Sequence, residues 1–351
     1  MDFLFADWLG TPVWFWLAFA GLVLSLTAFD LGILHKEDRE MGIGESLKLS
    51  AFYIAVALAF GAWIWLERGA ELGMQYYTGF FIEKALSIDN VFVISLIFTY
   101  FAIPARYQYR ALLWGIIAVI VLRGLMIAGG AALVSEAYWV LYIFAAFLVA
   151  TGIKMFFAGD HAPDIAKNPV VRWISVHMRV TPELHGQRFF VKVPDAKTGK
   201  LVTAATPLLL ALVIINLADL VFAVDSVPAI FAITTDIFIV YTSNIMAILG
   251  LRALYFALAA MVHRFYYLKY ALAAVLVFIG SKIFVADFLL GEEKFPPVLS
   301  LGVTAALIAG GIGYSLWKTR HGEDAAPQLP QVAAPARAPV STRLKGTTQN
   351  D

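Results

Sequence analysis

Glu83-Lys84-Ala85-Leu86-Ser87-Ile88-Asp89-Asn90-Val91 and Asp219-Leu220-Val221-Phe222-Ala223-Val224-Asp225-Ser226-Val227 follow one pattern. Each has an acid, five residues, a second acid, a small polar residue and then valine. Both stretches sit inside long apolar segments, so the chain repeats a pair of carboxylates where hydrocarbon is expected. The repeat continues downstream. Arg123-Gly124-Leu125 resembles Leu251-Arg252-Ala253, and Gly152-Ile153-Lys154-Met155-Phe156 resembles Gly280-Ser281-Lys282-Ile283-Phe284. Asp225 follows Asp89 by 136 residues and Lys282 follows Lys154 by 128, an eight-residue slip that loops absorb.

The composition makes lipid the solvent for most of the chain. Of 351 residues, 61% are hydrophobic and 15% charged, with mean hydropathy +0.78; a soluble domain is nearer half apolar and a quarter charged. A membrane-crossing helix needs about 20 apolar residues. Nine segments qualify, at 12–34, 47–66, 77–101, 111–134, 138–157, 206–234, 238–261, 270–289 and 298–317. The expected fold is therefore an all-α polytopic membrane protein. Segments three to five (77–157) and six to eight (206–289) form two copies of a three-helix unit. Three is odd, so the second copy enters from the opposite face, the inverted repeat of many secondary transporters, whose sites lie near mid-membrane.

Basic residues set the expected orientation. Lys36, Arg39, Lys48, Arg106, Arg110, Arg264, Lys269, the tail from Lys318 and the many bases of 158–205 occupy one set of loops; only Arg68 and Lys294 occupy the other. The N-terminus is then outside and the C-terminus cytoplasmic. Asp2 and Asp7, with no early basic residue, argue against a cleaved leader. Residues 1–320 form the transmembrane domain. Within the cytoplasmic loop 158–205, Arg188–Val193 and Lys200–Thr203 flank Pro194-Asp195-Ala196-Lys197-Thr198-Gly199, which predicts a β-hairpin. Residues 321–351, rich in Ala, Pro, Gln and Thr, read as a disordered tail.

Four unpaired carboxylates facing lipid would cost on the order of 10 kcal/mol. Glu83, Asp89, Asp219 and Asp225 must therefore pair, protonate, line water or bind a cation. Arg123, Arg252, Lys84 and Lys282 are available to neutralise them. Ser87, Asn90, Ser226 and Asn216 add neutral oxygens beside the acids, a donor set suited to hard cations such as Mg²⁺, Ca²⁺ and Mn²⁺. Residues six apart are rotated by about 120° on an ideal helix, so each acid pair is split between two faces unless the helix breaks. Pro228 offers such a break in the sixth segment by removing a backbone hydrogen bond. Asp30 ends the first segment and Asp287 lies near the end of the eighth. Asn244 is expected to cap the seventh helix. The chain has no cysteine, which removes disulfides, thiolate metal sites and iron–sulfur clusters. No P-loop is present, and Ser87 and Ser226 lack a histidine base, so an enzyme is not expected.

These residues resemble the TerC family of membrane proteins, which includes manganese exporters of the Alx type. The resemblance rests on the first motif extended through Phe92-Val93 and on Phe222 to Ile230. It continues through Phe238-Ile239-Val240-Tyr241-Thr242-Ser243-Asn244 and Leu249 to Phe256, and it covers most of the chain from about 20 to 320. It implies a bacterial inner-membrane protein exporting Mn²⁺ as substrate, with Glu83, Asp89, Asp219 and Asp225 functional. The family often carries glutamate at the position of Asn216, so one anionic group is missing here. The expected function is divalent cation efflux, possible by proton antiport, with no cofactor, no nucleic acid, and the bilayer and the ion as partners. Alternatives left open are Ca²⁺ or a proton-coupled organic substrate, and a membrane scaffold for metallation or stress resistance.

Overall fold

A computed structural model describes residues 2–33, 42–137, 139–157, 180–181, 183–194, 201–259, 267–289 and 295–320. Most of the 158–205 loop, the tail 321–351, and the side chains of Asp89 and Arg252 lie outside the described residues. The chain is an all-α polytopic membrane protein. Its helices are α1 (Asp2–Phe5), α2 (Val13–Ile33), α3 (Ile43–Arg68), α4 (Ala70–Tyr100), α5 (Ala105–Glu136), α6 (Val140–Phe157), α7 (Pro207–Phe231), α8 (Ile237–Leu249), α9 (Leu251–Ala259), α10 (Leu268–Leu289) and α11 (Pro297–Arg320).

Seven of these, α2, α3, α5, α6, α7, α10 and α11, are long and apolar enough to cross a membrane. The other two expected segments differ. The third falls on α4, which is long enough but carries Glu71, Glu83, Lys84 and Asp89. The seventh, expected as one helix over 238–261, divides at Gly250 into α8 and α9. The first of them, α8, has 13 residues, fewer than the roughly 20 a crossing requires. A side chain at Gly250 would meet Lys84 Nζ and Tyr53 Cβ at 3.0 Å. Lys84 donates to the Ala247 carbonyl at 3.2 Å, so its ammonium sits at the C-terminal end of α8, where the helix dipole favours a cation.

Tight turns fix the neighbours of α4. Gly69 closes α3 by donating to the Trp65 carbonyl and opens α4 with φ 94°, a conformation that favours glycine. The two helices then pack closely enough that a Cβ on Gly73 would lie 2.8 Å from Trp65 Cβ. The hairpin predicted in the central loop is present as antiparallel strands β3 (Phe190–Pro194) and β4 (Leu201–Ala205), with Phe190 opposite Ala205 and Pro194 opposite Leu201. A two-residue ribbon, β1 (Asp7–Trp8) with β2 (Thr11–Pro12), precedes α2.

Two sets of contacts exchange when equivalent segments are swapped. A Cβ on Gly152 of α6 would lie 2.8 Å from the Ala273 carbonyl oxygen and 2.7 Å from Val277 Cγ2 of α10. A Cβ on Gly280 of α10 would lie 2.6 Å from the Ala145 carbonyl oxygen and 2.8 Å from Val149 Cγ2 of α6. Ala145, Val149 and Gly152 are each 128 residues from Ala273, Val277 and Gly280. Likewise Gly79 of α4 faces Ser243 of α8, and Gly115 of α5 faces Ile215 of α7. Gly79 and Ile215 are 136 apart, and Gly115 and Ser243 are 128 apart. A contact i to j matched by j to i is how a two-fold interface is built.

Pro228 does not break its helix: α7 continues through it and ends three residues later at Phe231. A proline close to the end of a helix removes one ladder bond where the ladder is about to stop. After the turn, Asp236 caps α8 by accepting from the Ile239 N–H at 3.1 Å. Asn244 is therefore not a cap, as the sequence suggested, but an interior residue with no exposed surface.

Candidate functional site

The largest fully buried side chain among the described residues is an arginine. Arg123 of α5 is 1% exposed, as is Glu83 of α4. A lone buried charge would be prohibitive, and Arg123 is held by oxygen on every side. Its Nε donates to Asp219 Oδ2 at 3.2 Å and its Nη2 to Asp219 Oδ1 at 3.2 Å. That is the bidentate fork that arginine makes with a carboxylate. Its Nη1 donates to Glu83 Oε1 in a short contact, to Asn244 Oδ1 at 2.7 Å and to Ser226 Oγ at 3.0 Å. Asn244 Nδ2 donates back to Glu83 Oε2 at 3.2 Å. Asn90 Nδ2 donates to Asp219 Oδ1 at 3.4 Å. The cluster thus joins α4, α5, α7 and α8.

The helical periods explain who is present. Glu83 and Asn90 are seven apart on α4, and Asp219 and Ser226 are seven apart on α7. Seven residues is nearly two turns, so each pair shares a face. Asp225 is rotated by about 100° from Ser226 and turns to α6, where it meets the Thr151 hydroxyl and the charge of Lys154. It does not join Ser226 at the cluster. The backbone of Asp89 lies on α4 beside Asn90. Ser87 donates to the Glu83 carbonyl of its own helix at 2.7 Å, and Asn216 donates to the Leu212 carbonyl at 2.8 Å while its side-chain oxygen is buried without a partner. Of the seven residues expected to bind an ion whose side chains are described, four meet here: Glu83, Asn90, Asp219 and Ser226.

Among the described residues, no three acidic or histidine side chains come together as a metal ion would need. The place between the two carboxylates is filled by the guanidinium. The other buried bases go elsewhere, Lys84 to α8 as above and Lys282 to Ser300 Oγ at 3.3 Å. Arg123, expected as a base available to neutralise the acids, pairs with two of them, and Asn244 is the member the sequence did not assign to the site.

A cavity of about 800 Å³ opens at the end of the bundle that carries Arg68, Asp236, Lys282 and Asp287. Arg68 and Asp236 pair across it at 2.9 Å. Asp287 accepts from the Tyr142 hydroxyl. Thr78, Phe231 and Ile237 also line it. Thr78 is five residues from Glu83 and Phe231 five from Ser226, so the cavity wall stops about 7.5 Å short of the cluster along α4 and α7. Gly79, Ile230 and Ser243 pack together between them.

Comparison with known proteins places this arrangement in a family. Residues 68–323 match the integral membrane protein TerC family. The chain belongs to the TerC family. This TerC-family protein is 48% identical over 297 residues to an uncharacterized membrane protein of Rickettsia felis, covering 85% of the chain and 95% of that relative. It is 42% identical over 317 residues to the putative membrane-bound redox modulator Alx of Escherichia coli K12, covering 88% and 95%. It is 41% identical over 321 residues to the protein of the same description in Photorhabdus laumondii, covering 89% and 97%. No solved structure matches the chain. The matched region contains all members of the buried cluster.

Proposed function

We propose that this protein exports a divalent metal cation, with Mn²⁺ as the substrate, through the buried cluster of Glu83, Asp219, Ser226, Asn90 and Asn244. The observation that carries the reading is the environment of Arg123. Its guanidinium is met by five oxygens from two carboxylates, a hydroxyl and an amide. That is the oxygen donor set of a hard cation, mixed in charge and neutrality. Family membership supports a transport-related role in a membrane, and the reciprocal contacts support an inverted repeat, with the cluster between its halves. In this reading the protein lies in the bacterial inner membrane with its N-terminus periplasmic, and the cavity opens to the periplasm.

Moving each positive charge out against an inside-negative potential costs about 2.3 kcal/mol per 100 mV. Proton antiport through Asp89 or Asp225 is the proposed source; the Asp225 carboxylate lies outside the Arg123 cluster, where a proton can be exchanged for the ion. The relatives described as redox modulators suggest a second role. Thiol chemistry is closed to this chain, which has no cysteine, so any redox effect would act through metal content.

The deciding experiment measures manganese in cells lacking their own exporters. Wild-type protein is expected to lower it, and Asp219→Asn at matched membrane level is not. Unchanged manganese with wild type sinks the reading. The orientation has its own test, because single cysteines can be added to a cysteine-free chain. Ala286→Cys in the cavity wall is expected to react with a membrane-impermeant maleimide on whole spheroplasts, and the fully buried Ser87→Cys is not. Labelling of Ala286→Cys only in inverted vesicles would reverse the orientation.

A further inference from the structure

We infer that Arg123 is a tethered competitor for the transported cation, occupying the ion's place when the site is empty. The inference rests on the cation-site reading above, and it concerns one position, that of Nη1. Three helices each direct one oxygen at this atom: Glu83 Oε1 from α4, Ser226 Oγ from α7 and Asn244 Oδ1 from α8. The other edge of the guanidinium is anchored separately, by Nε and Nη2 on Asp219. The group is therefore held at one edge and inserted at the other.

An arginine never loses its charge in a protein. It cannot leave the site by deprotonating, only by moving. A divalent ion entering the oxygen trio would face a fixed positive charge a few ångströms away in a medium of low dielectric, a strong repulsion. Ion and Nη1 thus exclude one another at Glu83. With the side chain in place, the empty site keeps its carboxylates paired, so a carrier without cargo does not bury a bare charge pair. The consequence is a weakened resting affinity that lets the ion leave. Arg123 acts through Glu83 and Asp219, as a positioning residue.

The test is titration of Mn²⁺ into purified full-length protein in detergent. Arg123→Gln is expected to bind Mn²⁺ at least tenfold more tightly than wild type, because two carboxylates are freed, while its efflux falls since release is slowed. A residue with a merely structural role would weaken binding when removed, not tighten it. Because Arg123→Gln leaves two buried carboxylates facing each other, a second pair guards against misfolding. Arg123→Gln/Asp219→Asn keeps the formal charge of the wild-type cluster and is expected to bind Mn²⁺ more tightly than Asp219→Asn alone. Equal or weaker binding on removing Arg123 in either background overturns the competition while leaving the cation site intact. Absence of Mn²⁺ binding in folded wild type and in every variant overturns both.

Discussion

Glu83→Gln is expected to reduce manganese efflux to the level of cells without the protein while leaving the fold nearly unchanged. The asymmetry follows from the charges. In the wild type, one guanidinium is shared by two carboxylates. Glutamine keeps an oxygen to accept from Arg123 Nη1 and retains the shape, giving up only the acceptor for Asn244 Nδ2, and the remaining Arg123 and Asp219 still form a bidentate pair. The cluster then has balanced formal charge, so burial is no more costly than before. The cation site, in contrast, loses one of its two anions, and the Glu83 carboxylate is the one at which the ion would enter. Membrane level and detergent melting midpoint should stay within a few degrees of wild type, with efflux lost. Glu83→Ala is expected to differ, because Arg123 and Asn244 Nδ2 both lose a buried partner, at about 1–3 kcal/mol for each unsatisfied group. If Glu83→Gln exports manganese normally, Glu83 is a structural counter-ion only, and the proposed ion path lies elsewhere.

Much of this arrangement was legible from residue spacing. The repeated acid motif pointed to two of the four helices that form the buried cluster, and eight of the nine apolar segments coincide with single helices. What spacing could not supply was which of two acids six residues apart would face the cluster. Periodicity says that Glu83 and Asp89 diverge and that Asp219 and Asp225 diverge; it does not say which member looks inward. The structure places Glu83 and Asp219 in the cluster, with Asn90 and Ser226, seven residues on, completing their faces, and turns Asp225 to α6. Asn244 was misread for a different reason. Starting the seventh helix two residues late, at 238 instead of at the Asp236 cap, put Thr242-Ser243-Asn244 near a helix end, where capping is the natural reading. With Asp236 as the cap, the same residue lies two turns inside and faces Glu83. The break at Gly250 was hidden because α8 and α9 are both apolar, so hydropathy runs on across it.

Gly280→Leu is expected to be strongly destabilising although it lies outside the ionic cluster. An added Cβ alone would come within 2.6 Å of the Ala145 carbonyl oxygen. That obstacle is backbone, which cannot rotate out of the way as a side-chain tip can, so α6 and α10 must separate along their length. Overpacking of this kind typically costs about 1–3 kcal/mol or more, and here each methylene beyond Cβ adds to it. Gly152→Leu should cost a similar amount, since Gly152 meets Ala273 and Val277 in the same relation that Gly280 bears to Ala145 and Val149. Gly302→Leu on α11, where nothing lies within 4 Å of an added Cβ, is the control and should melt as wild type does. The measurement is the detergent melting midpoint together with membrane level. A large loss for both Gly152→Leu and Gly280→Leu supports a two-fold interface in which each glycine lets the partner helix approach. A large loss for one and none for the other would mean that the resemblance of the two contacts is local, and the pairing of segments three to five with six to eight would lose its main structural support.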